Sequence, residues 1–156
     1  MTFKNGLPHF AKGTVVKGFG RGSKELGIPT ANFEPHIVKQ LPPELETGIY
    51  FGWAQIDQGA VHKMVMSVGW NPYYKNMEKS METHILHKFD EDFYGRQLRV
   101  CMAGYLRPEK DFTSLDTLVE AIRDDISQAE KQLEDPNFRN LKSSKFFDHG
   151  AQNAEH

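Results

Sequence analysis

Between residues 10 and 105, apolar positions recur at every second residue in short runs, and Gly, Pro and Asx turns cut the runs apart. Period-two alternation of this kind marks half-buried antiparallel strand. It predicts strands over residues 11–17, 48–56, 62–69, 80–87 and 97–105. Five sequential strands in about a hundred residues point to a small closed barrel rather than a sandwich, because closure removes exposed edges. Segment 28–47 carries Pro29, Pro35, Pro42 and Pro43 and reads as a long irregular connection packed across that barrel.

After Pro108 the period changes. Leu115, Leu118, Val119, Ile122, Ile126, Ala129 and Leu133 recur at three- and four-residue steps, the stripe of an amphipathic helix packed on the barrel. Thr113 and Asp116 fit its capping box, and Pro136 is placed to end it. Residues 151–156 read as a frayed tail. The expected organisation is one domain over residues 1–156, with a core of about 10–135 and flexible termini.

Composition narrows the function classes. The 156-residue chain is 38% hydrophobic with a formal charge of -2, which fits an ordinary globular protein without a basic stripe for nucleic acid. The single cysteine, Cys101, cannot form an intrachain bridge; it reads as a small buried hydrophobe in a reducing compartment. No apolar signal segment opens the chain and no run approaches membrane-spanning length. A cytoplasmic monomer with neither nucleic-acid nor membrane partners is expected.

Candidate chemistry begins at Gly18-Phe19-Gly20-Arg21-Gly22-Ser23-Lys24, followed by Pro29-Thr30-Ala31-Asn32. Alternate glycines let backbone N–H groups approach an anion, Arg21 and Lys24 add charge, and Thr30 and Asn32 offer neutral oxygens for a hard cation. Mg²⁺ keeps water and borrows phosphate oxygens, so two such ligands suffice beside a phosphate. The spacing matches neither a Walker A loop nor a dinucleotide fingerprint, and the same residues would also serve a plain glycine hairpin. In Ser80-Met81-Glu82-Thr83-His84-Ile85-Leu86-His87, alternation puts Glu82, His84 and Leu86 on one face and Thr83, Ile85 and His87 on the other. The spacing is wrong for a zinc-protease site. Glu82 calls for a partner in a buried ion pair or for a catalytic purpose, since burying a carboxylate is costly. Arg107, Lys110 and Phe112 form a rim before the helix, suited to a flat polar ligand or to a solvated connection.

Taken together, residues 18–24, 27–32, 69–75, 82–87, 92–95 and 105–110 resemble the eukaryotic-type riboflavin kinase (flavokinase) family, in the family's own order and over most of the chain. The resemblance implies a six-stranded antiparallel Greek-key β-barrel with a C-terminal α-helix packed outside, and transfer of phosphate from ATP to riboflavin, giving FMN and ADP. It implies Glu82 as the catalytic base. Thr30 and Asn32 become ligands of Mg²⁺ or another divalent metal. Gly18, Lys24, Thr30, Asn32, Ile85, His87 and Tyr94 take ATP-binding positions; Arg107, Lys110 and Phe112 take flavin-binding ones. Because parity turns His87 away from the Glu82 face, its contact is expected through backbone or a bulge. A non-catalytic flavin- or nucleotide-binding barrel is the alternative. An enzyme that also converts FMN to FAD would need a second nucleotide-binding domain, for which the length leaves no room.

Overall fold

The computed structural model describes residues 6–16, 30–70, 79–89 and 92–147. Six strands make up its sheet: β1 (His9–Val16), β2 (Thr30–Phe33), β3 (Gly48–Ile56), β4 (Val61–Trp70), β5 (Lys79–Ile85) and β6 (Gln97–Arg107). They close into a barrel in the order β1-β2-β5-β4-β3-β6, every described pairing antiparallel. Strands β3, β4 and β5 form a meander, while the connections before and after it skip neighbours, giving the Greek-key path.

Alternation sorts the side chains into two sets. Val15, Tyr50, Met64, Met66, Val68, Met81, Ile85, Leu98 and Met102 are fully buried and belong to one cluster, which fills the barrel. Ile49, Phe51, Trp53, Val65, Cys101 and Ala103 form a second cluster on the outer wall. Helix α2 (Leu115–Gln132) covers this outer set with Ala129. All nine residues of β3 are therefore buried, because one face meets the interior and the other meets the C-terminal elements.

Strand β2 corrects the expectation for segment 28–47, part of which is barrel wall. With only four residues it presents two inward side chains, Ala31 and Phe33, too few for a periodic signal. A short helix, α1 (Pro35–Val38), follows and buries Ile37 and Val38. Strand β5 is also shorter than expected. The His87 N–H donates to Ile85 O at 2.8 Å, so the chain turns out of the ladder after Ile85, with Leu86 packed on the outer-wall cluster and His87 stacked on His62.

The helix cap lies one residue beyond the expected Thr113. Ser114 accepts from Thr117 N at 3.2 Å, and Thr117 Oγ1 accepts from Ser114 N at 3.3 Å. Helix α2 ends at Gln132, before Pro136, which instead opens α3 (Pro136–Arg139) behind the N-cap Asp135. Packing runs past residue 135. Phe138 and Phe147 are buried on the outer wall, where Trp53 Nε1 donates to Phe138 O at 3.0 Å and Gln55 Nε2 donates to Phe147 O at 3.1 Å. Cys101 is buried as expected, and burial pushes its thiol up to about 12. Among the described residues no helix is long and apolar enough to cross a membrane.

Candidate active site

The outer wall is apolar on the β3–β6 side and polar on the β2–β5 side. Strands β2 and β5 pair Asn32 with Glu82 and Thr30 with His84, and β4 continues these rows with Ser67 and Val65. Residues directly opposite in an antiparallel pair share a face, so Thr30, Asn32, Glu82 and His84 all project outward. Asn32 and His84 are each 6% exposed, and Glu82 is half-buried. His84 Nε2 lies 3.4 Å from Glu82 Oε1.

The register carries this row further. Glu82 pairs with Ser67, Ser67 with Ile49, and Ile49 with Arg107. One line of residues therefore runs Asn32, Glu82, Ser67, Ile49, Arg107 across five strands. Three strand spacings separate Glu82 from Arg107, about 14 Å around the wall.

At the Arg107 end, a cleft of about 410 Å³ opens between β6 and α2, bounded by Tyr105, Arg107, Lys110, Asp124, Asp125 and Gln128. The guanidinium is held by a buried carboxylate. Arg107 Nε and Nη2 donate to Asp125 Oδ1 and Oδ2, each at 2.8 Å, and Nη1 donates to Pro108 O at 3.1 Å. Its charge centre stands 6.0 Å from the centroid of the Phe112 ring, within cation–π range. Arg107, Lys110 and Phe112 thus share one end of the wall, although two edges of the guanidinium are already committed. The loop also folds back toward the polar rows. A Cβ on Gly69 would stand 2.5 Å from Glu109 Oε1, so the close approach of Glu109 depends on a glycine two residues from Ser67.

The remaining expected positions are more scattered. Ile85 is wholly buried in the barrel, so any ligand contact from it runs through its main chain. His87 is exposed and stacks on His62, centroids 3.9 Å apart and planes 16° apart, with Phe89 edge-on to both. Burial lowers the His62 pKa, and His87 and Lys142 lower it further. Tyr94 is exposed beside Phe93, which packs edge-on against Phe89. His87 and Tyr94 therefore flank one aromatic cluster. Gly18 and Lys24 lie outside the described residues.

Sequence reasoning missed Asp125 and His62, whereas it placed His84 on the Glu82 face, where the register puts it. Asp125 left a signal: it sits three residues after Ile122 and four before Ala129, an acid within the apolar stripe that requires a cation from the barrel. His62 and His87 meet only through the pairing of β4 with β5, which no local spacing encodes. Among the described residues no three His, Cys, Asp or Glu side chains converge as a metal cage. Asn32 is nevertheless buried with an amide nitrogen that lacks a hydrogen-bond partner among those residues. That nitrogen is a donor, matched by an oxygen of phosphate or water, while the amide oxygen, on the same outward face as Thr30, is the atom type a hard cation takes beside phosphate and water.

The closed six-stranded barrel keeps both its polar constellation and its helix-bounded cleft on the outer wall, outside the packed core, the class of a barrel with its candidate small-molecule site on the outside. A family model described as Flavokinase: Riboflavin kinase matches residues 5–133. The chain is 61% identical over 141 residues to a riboflavin kinase of Mus musculus, covering 90% of this chain and 91% of that one. It is 60% identical over 141 residues to one of Homo sapiens, with the same coverage. The crystal structure of riboflavin kinase from Trypanosoma brucei is similar at a TM-score of 0.70 and 26% identity, covering 88% of this chain and 87% of that one. The chain belongs to the riboflavin kinase family.

Proposed function

We propose that this chain is an ATP:riboflavin 5'-phosphotransferase that moves the γ-phosphate of Mg-ATP onto the ribityl 5'-hydroxyl, giving FMN and ADP. The observation that carries the reading is the single outward row from Asn32 through Glu82 and Ser67 to Arg107. It gives one elongated substrate a carboxylate at one end and a cleft with cationic and aromatic groups at the other. Riboflavin has the matching shape, a reacting hydroxyl on a chain extending from a flat polar ring.

Glu82 faces the 5'-hydroxyl, accepts its hydrogen bond and takes its proton late. An ordinary glutamate is far too weak a base to form an alkoxide in advance from an alcohol about as weakly acidic as water, and a loose phosphoryl-transfer transition state does not require it to. Thr30 Oγ1 and the Asn32 side-chain oxygen hold the divalent cation. When bound, the cation neutralises charge on the β- and γ-phosphates. The Arg107–Asp125 pair and Phe112 hold the flavin end, and His87 with Tyr94 meets the nucleotide. We also place the enzyme in the cytoplasm, consistent with one buried thiol, and read it as a monomer.

Incubation of the full chain with riboflavin, ATP and Mg²⁺, resolved chromatographically, tests the reading. FMN without FAD is expected, and Glu82→Gln should bind nucleotide yet lose about 10²–10⁴ in kcat. Absence of FMN from the folded protein would leave a flavin- or nucleotide-binding barrel without turnover.

A further inference from the structure

His84 is a buried polar side chain beside Glu82 for which neither sequence pattern nor the proposed site has a use. It follows Glu82 by two residues on β5 and shares its outward face, between Thr30 and Val65 in the adjacent strands. The side chain is 7% exposed, and neither ring nitrogen forms a well-aligned hydrogen bond within the described residues. A neutral imidazole carries one N–H and one lone pair, and a buried donor is costly to leave unmatched. The acceptor that lies close is Glu82 Oε1, 3.4 Å from Nε2. This is longer than a settled N–H···O bond, and catalytic hydrogen bonds commonly shorten when substrate fills the site.

We infer that His84 is a positioning residue for phosphoryl transfer, its Nε2–H holding Glu82 Oε1 so that the carboxylate meets the acceptor hydroxyl in one orientation. The inference rests on the reading of Glu82 as the base. His84 itself touches neither substrate. Its ring is fixed by burial, whereas Glu82 has three side-chain torsions, so a bond from the stiff group to the flexible one confines the carboxylate. Misplacement of a reacting group by about 1 Å can cost 10²-fold, which sets the scale of the effect.

The test uses the full chain with riboflavin and Mg-ATP, comparing His84→Phe, His84→Gln, Glu82→Gln and the His84→Phe/Glu82→Gln double variant in steady-state assays, with single-turnover runs to isolate the chemical step. Phe keeps the ring and removes the donor; Gln returns an N–H near the Nε2 position. The expected result for His84→Phe is a kcat lower by about 10- to 100-fold with both KM values within about threefold, and Gln should restore most of the loss. In the Glu82→Gln background the same change should cost less than about twofold, because the carboxylate to be oriented is gone. Long-range ¹H–¹⁵N correlation in the unmutated protein should find His84 carrying its proton on Nε2. Equal losses in both backgrounds, a Gln variant as slow as Phe, or a proton on Nδ1 would each overturn the inference. If His84→Phe does not fold, the Gln variant and the proton's position decide it. Loss of activity in Glu82→Gln with wild-type kcat in His84→Phe removes only the role of His84; full turnover by Glu82→Gln removes the base and with it this inference.

Discussion

Asp125→Asn isolates the pair that fastens the helix to the ligand end of the barrel. The wild-type carboxylate accepts from Arg107 Nε and Nη2 at 2.8 Å each; Asp125 is 6% exposed and the Arg107 side chain 18%. Asparagine preserves size but offers one acceptor and one NH₂, so one of the two guanidinium N–H groups would face a donor. Breaking a buried pair costs about 3–5 kcal/mol, and the solvent still reaching Arg107 lowers the expected loss to roughly 2–4 kcal/mol. For a chain of this length, that is a fall of roughly 5–15 °C in melting temperature. Urea unfolding followed by circular dichroism measures it. Asp124→Asn is the control: Asp124 lines the same cleft but is exposed, and it should shift stability by less than about 0.5 kcal/mol. Arg107→Met with Asp125→Leu should recover most of the stability, since apolar replacement of a buried pair is often neutral, but not the wild-type KM for riboflavin. A loss in Asp125→Asn no greater than in Asp124→Asn would mean that solvent screens the pair and that it anchors nothing.

Three further perturbations test other parts of the structure. Gly52→Ala would set a Cβ 1.8 Å from Cys101 O at a register shift between β3 and β6; a loss of about 3 kcal/mol or more is expected, and a wild-type melt would show that this close approach is wrong. The His62 pKa is lowered in the fold, first by burial and then by His87 and Lys142, so the unfolded chain binds the proton more readily and stability should fall as pH drops below about 6.5, levelling below the folded pKa. His62→Phe should flatten that slope in urea titrations at pH 7.5 and 5.5, leaving the share due to His9, whose pKa burial also lowers; an unchanged slope would rule out His62 as a source. Cys101, buried with its thiol pushed up to about 12, should react with a thiol reagent only after unfolding, and rapid labelling of the native protein would contradict its place under the helix.

Most of the fold is legible because long strands carry many alternating positions. The expected strand at residues 48–56 matches β3 at both ends, while the expected 62–69 falls one residue short of β4 at each end. The failures occur where local pattern carries little information. Strand β2 has four residues, and its membership in the wall is fixed by β1 and β5, distant in sequence. At residues 86 and 87 the alternation continues in the letters while the backbone turns. In the candidate site, the identities of Thr30, Asn32 and Glu82 are readable as oxygen ligands and an acid, but their common row is a matter of register. Register is decided by pairing across the barrel, which no window of sequence contains.

The same consideration bears on why the proposed site lies on the outer wall. Met64, Met66, Met81 and Met102 are fully buried and help fill the interior, so a six-stranded barrel of this kind has no room for a ligand within. Any site must use the outward face, which the two halves of the wall divide. On β3 and β6 that face carries Phe51, Trp53, Cys101 and Ala103 beneath the C-terminal elements, and on β2 and β5 it carries Thr30, Asn32, Glu82 and His84. Alternation alone separates inside from outside but cannot say which outward face a helix covers. That follows from where α2 lands: Arg107, at the end of β6, meets Asp125 on α2, and the cleft forms at the boundary between covered and uncovered wall. The ion pair therefore helps set where the apolar half ends, and disturbing it should change affinity for the flavin proposed to bind at the cleft before it changes the chemistry proposed for Glu82, three strands away.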